Sequence, residues 1–194
     1  MLTLSREPDD AEVALFRPEW STARLDFSRP DTMRDGAPMF RGWAQDPEVS
    51  RYLLWTPHSG VDETYLFLAR CEHAWREHVG HRPWSIRAGG QLIGMLGVDY
   101  FEHRLVVGYV LTRSAWGQGY LTEALSAFSE HALAVPGITR IEAHVHPDNP
   151  ASGRVLGKCG YVVEGRLRRH TVFPNVSERP SDVDLFARIS TGDW

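Results

Sequence analysis

Arg113-Ser-Ala-Trp-Gly-Gln-Gly-Tyr-Leu-Thr-Glu-Ala124 joins a strand-like run to an amphipathic helical one. Upstream, Leu105-Val-Val-Gly-Tyr-Val-Leu111 reads as a strand. Downstream, Leu121, Ala124, Leu125, Phe128, Ala132 and Val135 recur at helical spacing until the breaker pair Pro136-Gly137. Gly117 and Gly119 let the backbone turn sharply and let a ligand come close to it. The helix that follows opens with amides that lack internal acceptors and with the positive end of its dipole behind them. Such a turn either binds phosphate groups without Lys or Arg or serves only as a connection. Two common nucleotide loops are excluded by the residues themselves. The only Gly-Lys is Gly157-Lys158-Cys159, so there is no G-x-x-x-x-G-K-[ST], and the third glycine of a dinucleotide fingerprint is replaced by Thr122.

Outward from this loop, the alternation of elements predicts a single α+β domain. Arg24-Leu-Asp-Phe-Ser-Arg-Pro30 is a first strand, residues 31–44 hold one short helix, and residues 61–78 a second. That second helix has Ser59 as a possible N-cap and sets Val61, Tyr65, Leu68, Ala69 and Trp75 near one face. Strands over 84–87 and 92–101, joined by the turn at 88–91, lead through Glu102-His103-Arg104 into the strand before the loop. Connections this short make an antiparallel meander. After the loop helix come a strand over 138–145, a short helix over 150–159 and strands from 161 and 182. Asn149 is the N-cap of that short helix, Pro150 its first residue and Gly160 its stop. The expected architecture is a mixed, mostly antiparallel sheet of about seven strands flanked by about four helices. Residues 1–21, polar and broken by Pro8 and Pro18, read as an N-terminal leader, and 22–194 as the domain.

Composition narrows the function. The 194 residues carry 21 Lys+Arg against 25 Asp+Glu, a formal charge of −4 that speaks against binding nucleic acid or anionic membrane through bulk charge. No uncharged apolar run approaches the roughly 18 residues of a membrane span, and the first ten residues lack the pattern of a signal peptide. Cys71 and Cys159 offer neither a disulfide framework nor zinc-type spacing. These features read as a cytoplasmic protein with reduced thiols and no metal.

An ordered set of short motifs spans most of the chain: Arg24-Leu25 with Arg29-Pro30, Gly108-Tyr109, the loop itself, Arg140-Ile-Glu-Ala143, Asn149-Pro-Ala-Ser152, Lys158-Cys-Gly-Tyr161, Glu164-Gly165 and Asp182. In this set the chain resembles the GNAT N-acetyltransferases, specifically their RimJ/RimL-like branch. The resemblance implies the GNAT fold with splayed central strands, and acetyl-CoA as cosubstrate. It places the CoA pyrophosphate on the amides of Trp116, Gly117, Gln118, Gly119, Tyr120 and Leu121. The pantetheine arm would lie along Val110 and Leu111 as an added strand, with Asn149 in contact with it. The acceptor would be a primary amine, on a protein N-terminus or a small molecule, and the protein a monomer or homodimer.

Acetyl transfer needs a neutral amine, a polarised carbonyl and a proton for the departing thiolate. The tyrosine that many family members use as proton donor is replaced by Leu156, and the branch's substitute serine is Ser152. The glutamate that relatives carry two residues before Gly-Tyr is Val106 here, which leaves the base open among Glu102, His144 and His146, with His103 and Glu164 as further local carboxylate or imidazole groups, or water alone. Strand alternation sets His144 and His146 on one face. Arg166, Arg168 and Arg169 would meet the CoA 3′-phosphate or an acidic acceptor, or line a solvated face. Trp43, Trp55, Tyr65, Trp75 and Phe173 are candidates for the acceptor wall, and Cys159 packs rather than attacks. Val106 and Leu156 also suit a catalytically weak acyl-CoA-binding module, and an enzyme for a longer acyl group is a further alternative.

Overall fold

The chain, a computed structural model describing residues 7–191, opens with α1 (Asp10–Leu15) and β1 (Glu19–Ser21), followed by β2 (Asp26–Ser28). Residues 7–21 are therefore not a loose leader. The Asp9 carboxylate caps α1 by accepting from the Glu12 amide, Leu15 and Phe16 are buried, and the Phe16 ring stacks on Trp84 at 5.5 Å. β1 pairs with β2 and thereby begins the sheet. Elements of six and three residues between prolines are too short to show a hydrophobic period. Residues 1–6 of the expected leader lie outside the described residues.

The single helix expected over 31–44 is α2 (Thr32–Met39), capped by Asp31 and continued by a π-helical turn, Phe40–Ala44; α3 (Pro47–Ser50) follows. α4 (Val61–Glu77) starts after Gly60, while Ser59 donates its hydroxyl to Glu63 instead of capping the helix. β3 (Arg82–Ala88), β4 (Gln91–Phe101) and β5 (Arg104–Leu111) form the meander. A short 3₁₀ turn, Arg113–Ala115, and the loop lead into α5 (Tyr120–Leu133). Then come β6 (Arg140–Val145), α6 (Pro150–Lys158), β7 (Val162–Thr171) and β8 (Ser181–Ile189).

The eight strands lie in the order β1-β2-β3-β4-β5-β6-β8-β7. All neighbours are antiparallel except β5 and β6, whose parallel pairing requires the crossover that α5 supplies. That pairing covers only Arg104↔Arg140, Leu105↔Ile141 and Val106↔Glu142. Beyond Val106 the two central strands separate, which opens a gap where the loop and α6 begin. The main core sets Trp84, Leu96, Leu105, Phe128, Ile141 and Leu156 together, and a second core under α2 and α4 holds Met39, Trp43, Leu68 and Met95.

Gly94 fits because it lacks a side chain. A Cβ there would overlap the Val110 carbonyl oxygen and crowd Leu111, and neither backbone can give way. Gly94→Ala is expected to lower stability by about 1–3 kcal/mol through overpacking, read as a lower urea midpoint. An unchanged midpoint would show that β4 and β5 do not approach this closely.

Candidate active site

The loop turns where glycine is required. Gly117 and Gly119 have φ of +74° and +79°, the left-handed region that side chains with a Cβ disfavour. Gly119 is the N-cap of α5 and supplies no side-chain cap; Glu123 is the residue whose amide bonds back to the Gly119 carbonyl, at 3.0 Å. The amides of Tyr120, Leu121 and Thr122 thus belong to the open first turn of the helix. Side chains brace this shape from outside. Gln118 Nε2 donates to the Ser114 carbonyl at 2.6 Å, and Arg24 Nη1 donates to the Gln118 carbonyl at 3.1 Å. Glu123 accepts from Thr22 Oγ1 at 2.6 Å, from the Arg24 amide at 2.9 Å and from Arg24 Nε at 2.6 Å.

Arg24 and Glu123 have a further role. Burial pushes the Glu123 carboxyl up, but the bonds from Thr22 and Arg24 outweigh it and hold the group below its ordinary range. A depressed carboxyl keeps its contribution above the unfolded-state pKa and loses it as the pH falls through the folded one. The clamp is therefore intact at neutral pH and released by acid. Glu123→Gln is expected to weaken acetyl-CoA binding by roughly 3- to 10-fold at pH 7, about one charge-assisted hydrogen bond. Calorimetric titration checks this, and an unchanged Kd would show that the loop holds its shape without the clamp.

The edge of β5 supplies the second wall. The Thr112 amide donates to the Ile93 carbonyl at 2.8 Å, and the register runs unbroken from Gly94↔Leu111 to Phe101↔Arg104. Bonded and non-bonded pairs alternate along an antiparallel ladder, so the amide and carbonyl of Val110 face β4. Those of Tyr109 and Leu111 face the gap. Val110, expected to pair with the pantetheine arm, borders the cleft and packs against the second core instead. The Leu111 carbonyl accepts from Trp116 Nε1 at 3.0 Å, which ties the loop to the strand end.

Loop, strand edge and α6 enclose a cleft of about 580 Å³. Of the residues expected at the site, Val110, Leu111, Trp116, Gly117, Gly119, Tyr120, Leu121, Asn149 and Ser152 line it. Gln118 braces the loop behind them. The Asn149 side-chain carbonyl accepts from the Ser152 amide at 3.2 Å, as an N-cap does. Ser152 Oγ lies 2.7 Å from the Tyr109 hydroxyl across the gap.

The three candidate bases separate. Glu102 sits in the β4–β5 turn with φ of +57°, at the opposite end of β5 from the cleft; at about 3.3 Å per residue that is roughly 20 Å from Tyr109. Glu102 therefore cannot reach the reacting atoms, and His103 shares its turn. His144 and His146 do not act as a pair, because β6 ends at Val145 and the alternation with it. His144 is exposed, edge-on to His170 at 5.0 Å. It does not line the cleft. His146 is buried between Tyr52, at 5.0 Å, and Phe173, at 4.9 Å, and Tyr52 is a cleft residue. His146 Nδ1 accepts from the Asp148 amide at 3.1 Å, which leaves the ring proton on Nε2. Glu164 is engaged with Arg140 at 2.5 and 2.9 Å.

Other expectations are corrected. Arg166 pairs with Asp184 on the exposed edge strand β7 and lines no part of the cleft. The cations that do line it are Arg51, Arg154 and Lys158. The last two are four apart on α6, a spacing the sequence carries. Trp43 and Trp75 are core residues, the latter donating Nε1 to the Pro83 carbonyl, and Phe173 is buried. Tyr65 packs over Gly36, where a Cβ would overlap its ring. Trp55 lines a separate cleft of about 510 Å³ with His58, Glu63, Arg70 and Pro174. Asn175, which sequence reasoning missed, ties the β7–β8 connection to the Ser50 and Trp55 carbonyls at 2.7 and 2.8 Å. Burial pushes the Cys71 thiol up to about 12 and raises that of Cys159, and neither lines the cleft. No helix among the described residues is long and apolar enough to cross a membrane.

Known proteins are similar to this chain in sequence and fold. Residues 24–162 match the acetyltransferase (GNAT) domain family. Over 172 residues the chain is 28% identical to the uncharacterized N-acetyltransferase p20 of Bacillus licheniformis, covering 87% of this chain and 94% of that protein. Over 102 residues it is 30% identical to the ribosomal-protein-serine acetyltransferase of Escherichia coli strain K12, covering 51% of this chain and 55% of that one. The solved structure of the ribosomal alpha-N-protein acetyltransferase RimL with coenzyme A has a TM-score of 0.77 at 20% identity, covering 89% and 97% of the two chains.

Proposed function

Because this chain belongs to the GNAT acetyltransferase family and is an N-acetyltransferase with a RimL-like fold, we propose that it moves the acetyl group of acetyl-CoA directly to a primary amine in the cleft between β5 and β6. The acceptor is the amine of a protein N-terminus or of a small molecule. The reading is carried by one juxtaposition: the open first turn of α5, the free edge of β5 and the Ser152 hydroxyl all line the same cleft.

The residues fit the cosubstrate. The left-handed glycines leave amides from Gly117 to Leu121 for a pyrophosphate. The Tyr109 and Leu111 backbone suits a peptide-like arm where β6 has turned away. Arg154 and Lys158 stand beside this path for a further phosphate. Bound there, acetyl-CoA supplies an electrophilic thioester and a thiolate leaving group. An amide on the β5 edge polarises the thioester carbonyl. Ser152 gives its proton to the sulfur and regains one as the amine is acylated, so amine and thioester become amide and thiol with no net proton taken from the protein. Water beside Tyr52 takes up the amine proton in passing, since His146 carries its ring proton on Nε2 and its Nδ1 is engaged by the Asp148 amide. With both thiols buried and away from the cleft, the attack is direct, without an acyl-enzyme. A cytoplasmic location agrees with the two free cysteines.

Thiol release from acetyl-CoA, followed with a peptide beginning in serine, the same peptide N-terminally blocked, and spermidine, tests the reading. Release with at least one free amine and none with the blocked peptide is expected. Tight acetyl-CoA binding without release for any amine would instead identify a binding module.

A further inference from the structure

Tyr109 on β5 and Ser152 on α6 face each other across the cleft, their hydroxyls 2.7 Å apart. Among the described residues each side-chain oxygen has the other as its one hydrogen-bond partner. The Ser152 backbone is fixed separately by Asn149, so the bond to Tyr109 decides where the serine proton points. A serine hydroxyl has one proton and two lone pairs. If it donates to Tyr109, nothing is left for the cleft. If it accepts from Tyr109, its proton is free to turn outward.

Chemistry favours the second arrangement. A phenol is far more acidic than an alkyl hydroxyl and its oxygen the poorer acceptor, so the phenol donates. Burial raises the Tyr109 pKa further, which keeps the phenolic proton in place at any working pH. We propose that Tyr109 is a positioning residue whose O–H donates to Ser152 Oγ and so directs the serine proton toward the thioester sulfur. This rests on the reading of Ser152 as the proton donor. Tyr109 keeps its own proton throughout, since the proton that Ser152 gives to sulfur is replaced by one the amine sheds.

The test uses Tyr109→Phe, Ser152→Ala and the double variant, with thiol release from acetyl-CoA in the presence of the serine peptide, of spermidine and of water alone. Tyr109→Phe is expected to lower kcat roughly tenfold while the calorimetric Kd for acetyl-CoA stays within about twofold. The double variant should be no slower than Ser152→Ala, because the tyrosine acts only through the serine. An unchanged kcat in Tyr109→Phe, a lost acetyl-CoA affinity, or a second full drop in the double variant would overturn the proposal while leaving Ser152 its role. Wild-type turnover in Ser152→Ala overturns the reading of Ser152 itself, and is recognised by that single variant.

Discussion

Gly119→Val is expected to weaken acetyl-CoA binding by about 100-fold or more in a protein that still folds. Room is not the obstacle: a Cβ at Gly119 would lie 3.6 Å from Arg24 Nη2, ordinary contact. The obstacle is φ of +79°, which a β-branched residue tolerates poorly. Left-handed backbone costs an ordinary L-residue about 1–2 kcal/mol, so the loop relaxes to negative φ and turns its amides away. Each amide bond to a charged oxygen contributes about 1.5–3 kcal/mol. Losing two raises Kd by roughly 100-fold or more. The core is unaffected, since the loop is exposed and α5 is held by Leu125 and Phe128. Calorimetric titration of the variant, with circular dichroism as the folding control, gives the answer. A wild-type Kd would reduce the loop to a mere connection.

Ser152→Ala is expected to lower kcat by about 100-fold, the lower range for a lost general acid, with Kd for acetyl-CoA little changed. The asymmetry follows from place. Ser152 Oγ meets Tyr109 and the region of the sulfur, whereas the pyrophosphate contacts lie on the loop. The same change leaves the half-buried Tyr109 hydroxyl without its serine partner, which should cost about 1 kcal/mol of stability and show as a lower urea midpoint. A variant with full turnover would remove Ser152 from the chemistry.

The parts of the fold legible in the sequence were those whose physics is local. Left-handed turns leave glycines, as at Gly117 and Gly119, and an N-cap followed by proline marks a helix start, as at Asn149 and Pro150. The phase of β5 is also legible. The two-residue turn at Glu102 and His103 makes Phe101 and Arg104 a bonded pair, and counting by twos reaches Val110. That assigns Val110 to β4 and leaves Tyr109 and Leu111 to the gap. α1 and β1 were not legible, because six and three residues carry no period. Nor could periodicity place Trp43 and Trp75, since it shows that a side chain faces inward but not whether it meets core or cleft. His146 and Tyr109 gain their meaning from neighbours distant in sequence, Tyr52 and Ser152, which only the fold brings near.

A crystal structure of the protein with CoA tests the central claim most directly. The expected result has the pyrophosphate within hydrogen-bond distance of amides between Gly117 and Leu121, the pantetheine arm paired with Tyr109 and Leu111, and the sulfur within reach of Ser152 Oγ. CoA bound elsewhere, or in the cleft with its sulfur directed away from Ser152, would contradict the account.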